Sequence, residues 1–546
     1  MKEVYSKYLN ENVNSFGELL DVSVKYPENF NFSYDILDEM AKQNPNELAL
    51  IWSNSSGEEK KITFKQMSDM SNRVANFFIS NGIKSGNFVL LILKRNFEYW
   101  YIVNALCKIG AIAIPATHML TPLDLKFRIE FAKIKAVVFT NQLGVEENVL
   151  SSIKNIKFPV KLFSIREDSK SGVNIFKSIE QYSSKLERIK TYVNSPMLCY
   201  FTSGTTGQPK LVQHSFSYPL AHIITAKYWQ KAKFKEKHLT ISDTGWAKAA
   251  WGKMYGQWAV GATVIVYDYD KFIPNDILKV IEKYEVNTFC APPTVYRFLM
   301  KEGVLNSNVL SLRHATTAGE PLNPEIIKQF KSVTGLEIMP GFGQTETTAV
   351  TYNFPSEKEK IGSIGKASPL YDVVLVNEFG ELAKKGEEGE ICVKLKENEQ
   401  QVGLFIGYYN DPELNDSVLR NGLYHTGDVA VCDDDGYYWY VGRKDDIIKS
   451  SGYRIGPFEV ESVLIEHPAV LECGVVGVFD AVRGQILKAN VVLTKNFKPS
   501  KELCKELQEF VKKRTAPYKY PRVIEFIKEL PKTISGKIKR KLLRNN

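Results

Sequence analysis

Short apolar runs alternate with amphipathic helical patterns over most of the chain. Residues 64–80 and 97–108 repeat their apolar positions at helical spacing, whereas residues 88–93 and 112–114 form short, continuous apolar runs. This region is therefore predicted to contain two helices and two strands. Strands that alternate with helices along a chain are typical of parallel sheets covered by helices.

The same alternation continues further along the chain. Apolar runs at 136–140, 263–267 and 287–290 predict strands, and residues 275–283 predict a helix. Because these runs are apolar on both faces, the strands are expected to be buried on both sides of a sheet. Ligands in such sheets bind beyond the carboxyl ends of the strands. The pattern predicts an α/β fold with helix-covered sheets.

Beyond about residue 370 the pattern changes to short strands separated by turn signals. The clearest turn signals are 377–380 (NEFG) and 433–436 (DDDG), and they predict a β-rich subdomain. A compact mixed segment with a basic tail follows the string at 442–446 (GRKDD). We place a boundary there, which gives a large N-terminal domain, 1–444, and a small α+β C-terminal domain, 445–546.

A string rich in glycine and hydroxyl residues, 202–210 (TSGTTGQPK), directly follows the apolar run 197–201. Glycine lets the backbone approach a ligand closely, N–H groups and hydroxyls donate to anionic oxygens, and Lys210 adds a positive charge. The string predicts a phosphate-binding loop. It is not the P-loop of nucleoside triphosphatases, because two residues instead of four separate Gly204 from Gly207 and Leu211 follows the lysine. In isolation, a solvated turn is the alternative.

Charge and cysteine content narrow the function classes. The chain has 546 residues, and 71 basic against 62 acidic residues give a net charge of +9. The lysines are spread along the chain, which argues against a nucleic-acid partner and suits polyanionic small molecules. The seven cysteines form no CxxC pair and lie mostly in apolar stretches. We expect them to be reduced core residues of an intracellular protein.

The first ten residues carry charged and polar side chains where a signal peptide has an apolar segment. The apolar run at 88–93 is far shorter than the ~20 residues that span a bilayer. We therefore expect a cytoplasmic protein with no membrane span.

Seven strings occur in one order between residue 202 and the C-terminus: TSGTTGQPK (202–210), AGEPL (318–322), GFGQTE (341–346), YHTGD (424–428), GRKDD (442–446), SGYR (451–454) and PKTISGK (531–537). Together they resemble the adenylate-forming superfamily, which contains acyl-CoA synthetases, luciferases and peptide-synthetase adenylation domains. Within it, the chain is most similar to the medium-chain acyl-CoA synthetases. The resemblance covers all but the first few tens of residues.

The resemblance implies an ATP-dependent, Mg²⁺-requiring acyl-CoA ligase. In that chemistry a carboxylic acid and ATP form an acyl-adenylate and pyrophosphate, and the thiol of CoA then displaces AMP to give a thioester. A carboxylate is repelled by the triphosphate, so the enzyme has to neutralise phosphate charge and align the reactants. The small molecules implied are therefore the acid, ATP, Mg²⁺ and CoA.

The resemblance also implies which residues hold the phosphates and the metal. The string at 202–210 would hold the β- and γ-phosphates through Thr202, Ser203, Gly204, Thr205, Thr206, Gly207 and Lys210. Thr345 would contact the α-phosphate and Glu346 would hold Mg²⁺, both as catalytic residues. In isolation, this pair is also typical of a helix N-cap followed by an acidic first turn.

Further ATP contacts follow from the other strings and involve Gly319, Glu320, Pro321, Phe342, Gly343, Gln344, Asp428 and Arg443. The first three resemble the turn that flanks adenine. Phe342 stands where the family usually has a tyrosine stacked on the base, and stacking does not need the hydroxyl. Asp428 would accept from the ribose hydroxyls with help from Arg443, although an Asp in such a turn commonly accepts local backbone hydrogen bonds.

The C-terminal strings imply a mobile domain. Lys537 would be the catalytic group of the first step, because its positive charge offsets the developing negative charge. The domain would then swing about a hinge at Asp445 into a thioester-forming pose. In that pose Gly452 would approach the pantetheine arm of CoA and Arg454 would reach a CoA phosphate. Taken alone, these strings are typical of a solvated basic tail and a surface hairpin turn.

Gly343 bears on the size of the acyl group. Family members that resemble acetyl-CoA synthetase have a tryptophan there, so Gly343 predicts an open pocket floor. Because each buried CH₂ contributes about 0.8 kcal/mol, an open apolar pocket favours acids longer or bulkier than acetate. Trp246, Trp251 and residues 290–296 are expected to line or flank this pocket, with Trp246 as the named candidate. Branched short acids, medium-chain fatty acids and benzoate-like acids stay open.

Two other functions fit the same nucleotide motifs. An adenylation enzyme that loads a carrier protein would release pyrophosphate but no free acyl-CoA, and a nucleotide-binding sensor would bind without turnover. Retention of Lys537, Glu346 and Asp428 argues against a sensor. No sequence feature indicates the additional oxidative step of a luciferase. The sequence does not determine whether the protein forms a homo-oligomer.

Overall fold

The structure is a computed structural model and is described for residues 3–15, 17–166, 168–203, 209–301, 309–354, 360–397, 399–451, 453–481, 483–533 and 537–544. The chain forms two compact units. The first consists of Met1–Gly319, Ser332–Val350 and Lys396–Ser417, and the second consists of Glu320–Lys331, Thr351–Leu395 and Val418–Asn546. The boundary expected between residues 444 and 445 stays a prediction.

Helices and strands alternate along the chain in the way that the hydrophobic pattern predicts. The α-helices have the bounds Asp38–Gln43, Phe64–Ser80, Glu98–Ile109, Pro122–Phe131, Val145–Ile153, Tyr218–Ile224, Lys248–Gly252, Tyr255–Ala259, Pro274–Lys283, Pro293–Lys301, Pro324–Thr334, Pro412–Val418, Pro457–Ile465, Lys501–Arg514 and Arg540–Arg544. Short 3-10 and π-helical turns are Val4–Lys7, Ser33–Leu37, Gln142–Gly144, Ile179–Gln181, Thr225–Trp229 and Pro517–Lys519.

The helix Phe64–Ser80 has the bounds that its apolar spacing predicts. It begins at this point because of a capping box. The Thr63 hydroxyl accepts a hydrogen bond from the Gln66 N–H at 3.2 Å, and Gln66 Oε1 accepts from the Thr63 N–H at 2.9 Å. The two side chains thus satisfy backbone groups that the first turn of a helix cannot satisfy itself.

The first unit contains a sheet whose strands are, in spatial order, Gly407–Tyr408, Pro209–Ser215, Pro196–Ser203, Ile112–Pro115, Phe88–Ile92, Ala136–Phe139, Lys161–Ser164 and Val173–Asn174. The first three strands pair antiparallel, and the other pairs are parallel. The parallel strands contribute Leu90, Ile114 and Val137 to the core, where all three are fully buried. This matches the expectation of strands covered on both faces.

A second sheet of the first unit contains, in spatial order, Ile338–Phe342, His314–Thr317, Thr288–Ala291, Lys237–Thr240, Thr263–Asp268, Leu48–Asn54 and Glu59–Thr63. Its strands are parallel except for the last pair. Because carboxyl ends of parallel strands meet at one edge, Gly319 and Gly343 follow their strands at the same edge of this sheet. A hairpin, Leu9–Val13 with Leu19–Val24, also belongs to this unit.

The second unit is built from two small sheets. One is antiparallel and consists of Val373–Val376, Glu388–Lys394, Leu423–Cys432, Leu419–Arg420 and Tyr438–Arg443. The other consists of Tyr453–Ile455, Ile448–Ser450, Gly484–Leu493, Val470–Asp480 and Val523–Phe526. The short strands Thr351–Tyr352 and Lys366–Ala367 pair with each other. The predicted β-rich region is therefore confirmed, and the helices Pro457–Ile465 and Lys501–Arg514 pack on the second sheet.

The predicted α/β fold class is confirmed. All seven cysteines are free, and five of them are buried, as expected for reduced core residues. Within the described part of the chain, no helix combines the length and the apolar character needed to cross a bilayer.

Candidate active site

The two ends of the TSGTTGQPK string belong to paired strands. In the strands Pro196–Ser203 and Pro209–Ser215, Thr202 lies opposite Lys210. The antiparallel pairing holds both ends of the string in place. Gly204, Thr205, Thr206 and Gly207 lie outside the described residues, and so does the side chain of Ser203. Their assignment to phosphates stays a prediction.

Lys210 and Glu346 meet although they are far apart in the sequence. Lys210 Nζ lies 3.2 Å from Glu346 Oε1, and the Tyr408 hydroxyl donates to the same oxygen at 2.8 Å. Lys210 Nζ also donates to the Tyr408 hydroxyl at 2.8 Å. The Glu346 side chain is 8% exposed and that of Lys210 is 23% exposed. The lysine of the proposed phosphate loop and the proposed metal ligand therefore belong to one hydrogen-bonded cluster.

Tyr408 is the member of this cluster that sequence reasoning missed. The strand Gly407–Tyr408 pairs with Pro209–Ser215, so that Tyr408 lies opposite Val212. Lys210 and Val212 are two residues apart and therefore share one face of their strand. The Lys210 ammonium consequently lies 4.3 Å from the centre of the Tyr408 ring. The sequence around residue 408 contains no motif that predicts this role, because the role of Tyr408 results from the strand pairing.

The carboxylate of Glu346 has the chemistry that Mg²⁺ requires. Oε1 is engaged by Lys210 and Tyr408. Mg²⁺ is usually bound through one or two carboxylates together with phosphate oxygens. The Glu346 carboxylate therefore has a suitable donor chemistry for the ion, with phosphates supplying the other ligands.

The GFGQTE string (341–346) is a strand end followed by a turn. The strand Ile338–Phe342 ends within it, and no helix begins in the described residues that follow, 343–350. The Gln344 N–H instead donates to the Thr347 hydroxyl at 2.9 Å. The helix N-cap considered for Thr345 and Glu346 is therefore wrong, and the turn leaves the backbone of Thr345 available to other parts of the first unit.

His214 uses this backbone. Its Nε2 lies 2.8 Å from the Thr345 carbonyl oxygen. Burial lowers the pKa of His214 to about 4, although the Thr345 carbonyl and Glu346 act in the opposite direction. The ring is therefore neutral at pH 7, and because a carbonyl can only accept, Nε2 carries the proton. His214 was not identified from the sequence.

The turn assigned to adenine begins at Gly319. Its φ of +103° lies in the region that favours glycine, and a Cβ there would meet nothing within 4 Å. The preceding carbonyl, that of Ala318, accepts from Lys248 Nζ at 2.8 Å. Glu320 and Pro321, which belong to the second unit, are half-buried. These residues stay candidates for the base, as does the half-buried Phe342.

In the second unit, Asp428 and Arg443 lie together as the sequence predicts. Arg443 Nη1 is 3.3 Å from Asp428 Oδ2, and the Tyr440 hydroxyl donates to Asp428 Oδ1 at 2.9 Å. The chain around Asp428 is further held by Glu390, whose Oε1 accepts from the Gly427 N–H at 2.9 Å. The carboxylate of Asp428 stays a candidate acceptor for the ribose hydroxyls.

Lys537 lies at the surface of the second unit. The Lys537 N–H donates to the Thr533 hydroxyl at 3.1 Å, and the Thr533 N–H donates to the Lys537 carbonyl at 2.7 Å. Both bonds hold the backbone, and the ammonium is exposed. Thr533 is therefore a positioning residue that sequence reasoning did not name.

The residues assigned to the hinge and to CoA are also in the second unit. Asp445 is exposed and lies 3.4 Å from Arg443 Nε. Arg454 is bound by two carboxylates, Glu378 Oε2 at 3.0 Å and Glu388 Oε2 at 3.5 Å. A CoA phosphate would have to replace these partners. Gly452 lies outside the described residues.

Gly343 is packed against the Trp251 indole. A Cβ at Gly343 would lie 2.5 Å from Cη2 of Trp251 and 2.4 Å from the Thr348 carbonyl oxygen. Trp251 is therefore in direct contact with Gly343, and the open pocket floor stays a prediction. The sequence predicts that Trp251 lines or flanks this pocket, but not that it contacts Gly343, because the contact joins the helix Lys248–Gly252 to the end of the strand Ile338–Phe342. Trp246, the residue expected to line the acyl pocket, is half-buried. Its role in the pocket stays a prediction.

Comparison with known families places this geometry in context. The model of the family described as AMP-binding enzyme matches residues 37–409. The chain belongs to this family. A second model, described as AMP-binding enzyme C-terminal domain, matches residues 459–537. In this AMP-binding enzyme, the Lys210–Tyr408–Glu346 cluster lies within the first match, and Lys537 is the last residue of the second.

Curated relatives of this AMP-binding enzyme span nearly its whole length. The mitochondrial acyl-coenzyme A synthetase ACSM4 of Rattus norvegicus is 41% identical over 530 residues, which cover 95% of this chain and 91% of that protein. The 4-hydroxybutyrate–CoA ligase 1 of Metallosphaera sedula is 43% identical over 521 residues, covering 94% and 90%.

Solved structures of similar enzymes extend the comparison. The anthranilate CoA ligase AuaEII in complex with anthranoyl-AMP is 27% identical, with a TM-score of 0.87 over 95% of this chain and 98% of that chain. A benzoate CoA ligase from Burkholderia xenovorans is 25% identical, with a TM-score of 0.84 over 94% and 100%. The AMP-binding enzyme therefore has the fold of acid-activating CoA ligases.

Proposed function

We propose that the protein is an ATP-dependent acyl-CoA ligase that converts a carboxylic acid and CoA to acyl-CoA, AMP and pyrophosphate. The observation that carries the proposal is the cluster of Lys210, Tyr408 and Glu346 beside the hairpin of the phosphate loop. A lysine and a metal-binding carboxylate held together suit a triphosphate with its ion. The relatives named as acyl-CoA synthetases support the thiol of CoA as the group that receives the acyl group in the second half-reaction.

In the first half-reaction a carboxylate oxygen forms a bond to the α-phosphorus of ATP, and the bond between this phosphorus and the bridging oxygen breaks to release pyrophosphate. Negative charge is concentrated on the phosphates, and Lys210 offsets part of it. The proposed role of Thr345 is to orient the α-phosphate through its hydroxyl, because its carbonyl is already engaged by His214.

Glu346 would hold Mg²⁺, which, when bound, neutralises phosphate charge. Lys210 and Tyr408 fix one oxygen of Glu346, so the carboxylate is oriented before the ion arrives. We assign Lys537 to the same half-reaction, where its ammonium would stabilise the charge that develops on the α-phosphate.

In the second half-reaction the sulfur of CoA attacks the acyl carbon, the bond between this carbon and the AMP oxygen breaks, and the thiol proton is released. Gly452 and Arg454 are the proposed CoA contacts, and Asp445 is the proposed hinge residue. Arg454 would exchange its two glutamate partners for a phosphate, which is a stronger, bidentate partner for a guanidinium.

The proposed substrates are aliphatic or aromatic acids larger than acetate. The names of the relatives, which mention 4-hydroxybutyrate, anthranilate and benzoate, support small acids with a functional group or a ring. We also propose a cytoplasmic location, on the basis of the reduced cysteines. The acyl-coenzyme A synthetase ACSM4 of Rattus norvegicus is named as mitochondrial, so fractionation has to decide between the two compartments.

A panel of carboxylic acids, assayed with ATP, Mg²⁺ and CoA, tests the proposal. We expect pyrophosphate, AMP and a CoA thioester in equal amounts with at least one acid. Pyrophosphate exchange without free thioester would favour the carrier-protein alternative. Nucleotide binding without pyrophosphate release from any acid would favour the sensor and contradict the proposal.

A further inference from the structure

A row of aromatic rings begins at the backbone of the GFGQTE string. His214 contacts the Thr345 carbonyl at 2.8 Å, and its ring stacks on Tyr218 with the ring centres 3.8 Å apart. Tyr218 in turn meets His222 edge-on at 4.5 Å. The row therefore places His222 two rings away from the backbone of Thr345, inside the first unit.

A second path connects His222 to the same string. The ring centres of His222 and Trp251 are 6.3 Å apart. Trp251 lies directly against Gly343, because a Cβ at position 343 would be only 2.5 Å from Cη2 of the indole. One indole ring thus separates His222 from Gly343. His222 consequently lies behind the residues that we assign to the end of the acyl group.

His222 is fully buried, yet neither of its ring nitrogens has a hydrogen-bond partner among the described residues. Its other aromatic neighbour is Tyr255, which is stacked at 5.9 Å. Gly256 packs on its backbone so closely that a Cβ there would be 2.0 Å from the His222 carbonyl oxygen. A buried polar group without a partner is unfavourable, so this fixed ring, unpaired within the described residues, points to a partner from outside the chain.

The protonation state of His222 limits what this partner can be. Burial lowers the pKa of His222 well below its usual value, and His214 adds to the effect. A neutral imidazole has one donor and one acceptor nitrogen. A hydroxyl also donates and accepts, so it complements the ring, whereas a carboxylate or an ammonium would bring an uncompensated charge into a buried site.

We propose that His222 ends the acyl pocket and selects carboxylic acids that carry an uncharged hydrogen-bonding group, such as a hydroxyl, at the far end of the chain. This inference rests on the proposed acyl-CoA ligase activity and names the substrate class of the same site. The carboxylate is activated at the GFGQTE string, and the tail of the acid reaches past Trp251 to the imidazole.

Matched pairs of acids test the proposal on the wild-type protein. 4-Hydroxybutyrate and valerate differ in a terminal hydroxyl against a methyl group, and 5-hydroxyvalerate and hexanoate form the same pair one carbon longer. We expect kcat/KM for the hydroxy acid to exceed that for its partner by at least about tenfold in one of the pairs. Succinate, with a charged end, should be a poor substrate. Equal values for both acids of both pairs would overturn the proposal and leave ordered water as the partner of His222.

Two substitutions separate recognition from packing. His222→Leu fills a similar volume without polar atoms, so the preference should reverse towards valerate or hexanoate. His222→Gln keeps a donor and an acceptor and should retain most of the preference for the hydroxy acid. His467→Leu, a buried histidine of the second unit, serves as the control and should leave the ratio unchanged. Should His222→Leu fail to fold, the wild-type ratio and His222→Gln decide.

The same assay distinguishes this inference from the proposed function. Absence of AMP and pyrophosphate with every acid would contradict the ligase activity itself. Thioester formation that is equally fast with hydroxy and alkyl acids would leave the ligase intact and contradict only the role of His222. If His222→Leu kept the wild-type preference for hydroxy acids over alkyl acids, this result would also contradict the role of His222, because another residue would then recognise the hydroxyl.

Discussion

At the scale of single residues, charge and hydrogen bonding decide what the candidate site can do. Lys210, Tyr408 and Glu346 form one cluster in which every polar contact is 3.2 Å or shorter. Such a cluster orients a carboxylate for a cation and holds a positive charge beside it. The side chain of Lys537, by contrast, is exposed, and only its backbone is fixed by Thr533.

Replacement of Glu346 by Gln should strongly reduce adenylate formation, because the neutral amide binds Mg²⁺ poorly. We expect a loss of about 100-fold in kcat/KM at fixed Mg²⁺, the size typical of a lost electrostatic contact to a transition state. Tyr408→Phe removes one hydrogen bond to the same carboxylate and should cost about tenfold or less. Pyrophosphate release measured over a range of Mg²⁺ concentrations distinguishes the two variants. Equal, small effects would show that Glu346 does not hold the ion.

Lys537→Ala should abolish adenylate formation from acid and ATP but leave thioester formation from supplied acyl-adenylate largely intact. The reason is that the ammonium is assigned to the first half-reaction only. Thr533→Val, which removes the hydroxyl that holds the Lys537 N–H, should lower the first rate more moderately. Single-turnover assays of each half-reaction provide the measurement. If Lys537→Ala slows both halves equally, the residue has been assigned to the wrong step.

A tryptophan at Gly343 should first of all destabilise the protein, because its Cβ meets Trp251 and the Thr348 carbonyl. The double substitution Gly343→Trp with Trp251→Gly removes the contact with the indole but not the contact with the Thr348 carbonyl, so it should recover only part of the stability. We expect the double variant to shift preference towards shorter acids than the wild type accepts. Thermal unfolding and the acid panel test both parts. An undiminished melting temperature for Gly343→Trp alone would contradict the packing argument.

At the scale of secondary-structure elements, the sequence predicted which helices and strands form, and the packing of these elements determined which residues come into contact. The predicted helices and strands before residue 300 are present with shifts of one or two residues at their ends. Apolar periodicity is a local property, so it is readable from the chain. The contact between the helices Tyr218–Ile224 and Tyr255–Ala259 is not local, and it depends on Gly256 lying over His222.

Gly256→Ala should separate these two helices and lower the free energy of unfolding by about 1–3 kcal/mol, because the new Cβ would be 2.0 Å from a backbone oxygen that cannot move freely. Gly442→Ala is the matched control, since its Cβ would have an ordinary distance of 3.5 Å to Pro457. Denaturant unfolding of both variants measures the difference. Similar stabilities would show that the helices can separate without cost.

At the scale of the whole molecule, buried histidines make stability depend on pH. Burial lowers the pKa of His214 to about 4, of His238 to about 3 and of His314 to about 4, and burial is the largest cause in each case. The unfolded chain therefore binds more protons than the folded one between pH 6.5 and these values. The stability that these neutral histidines allow is complete above pH 6.5. It is lost as the pH falls towards the pKa values of the histidines in the folded protein.

We therefore expect the free energy of unfolding to decrease between pH 6.5 and 5, by up to about 1.4 kcal/mol per pH unit for each histidine. His314→Gln should reduce this slope, and so should His238→Gln. Glu98 and Asp446, whose pKa is raised mainly by burial, act in the opposite direction, so each variant is compared with the wild type. Denaturant unfolding at several pH values provides the measurement. A slope that is identical in wild type and variants would contradict the assignment.

The sequence by itself determined the alternation of helices and strands, the α/β class and the ordered motifs of an AMP-binding enzyme, because periodicity and motif composition are written into short stretches of chain. Only the tertiary structure decided that Tyr408 joins Lys210 to Glu346, that Trp251 packs on Gly343 and that His222 is buried with no hydrogen-bond partner in the described part of the chain. These contacts join residues from different strands and helices. They depend on how the elements pack and not on the local pattern from which each element can be predicted.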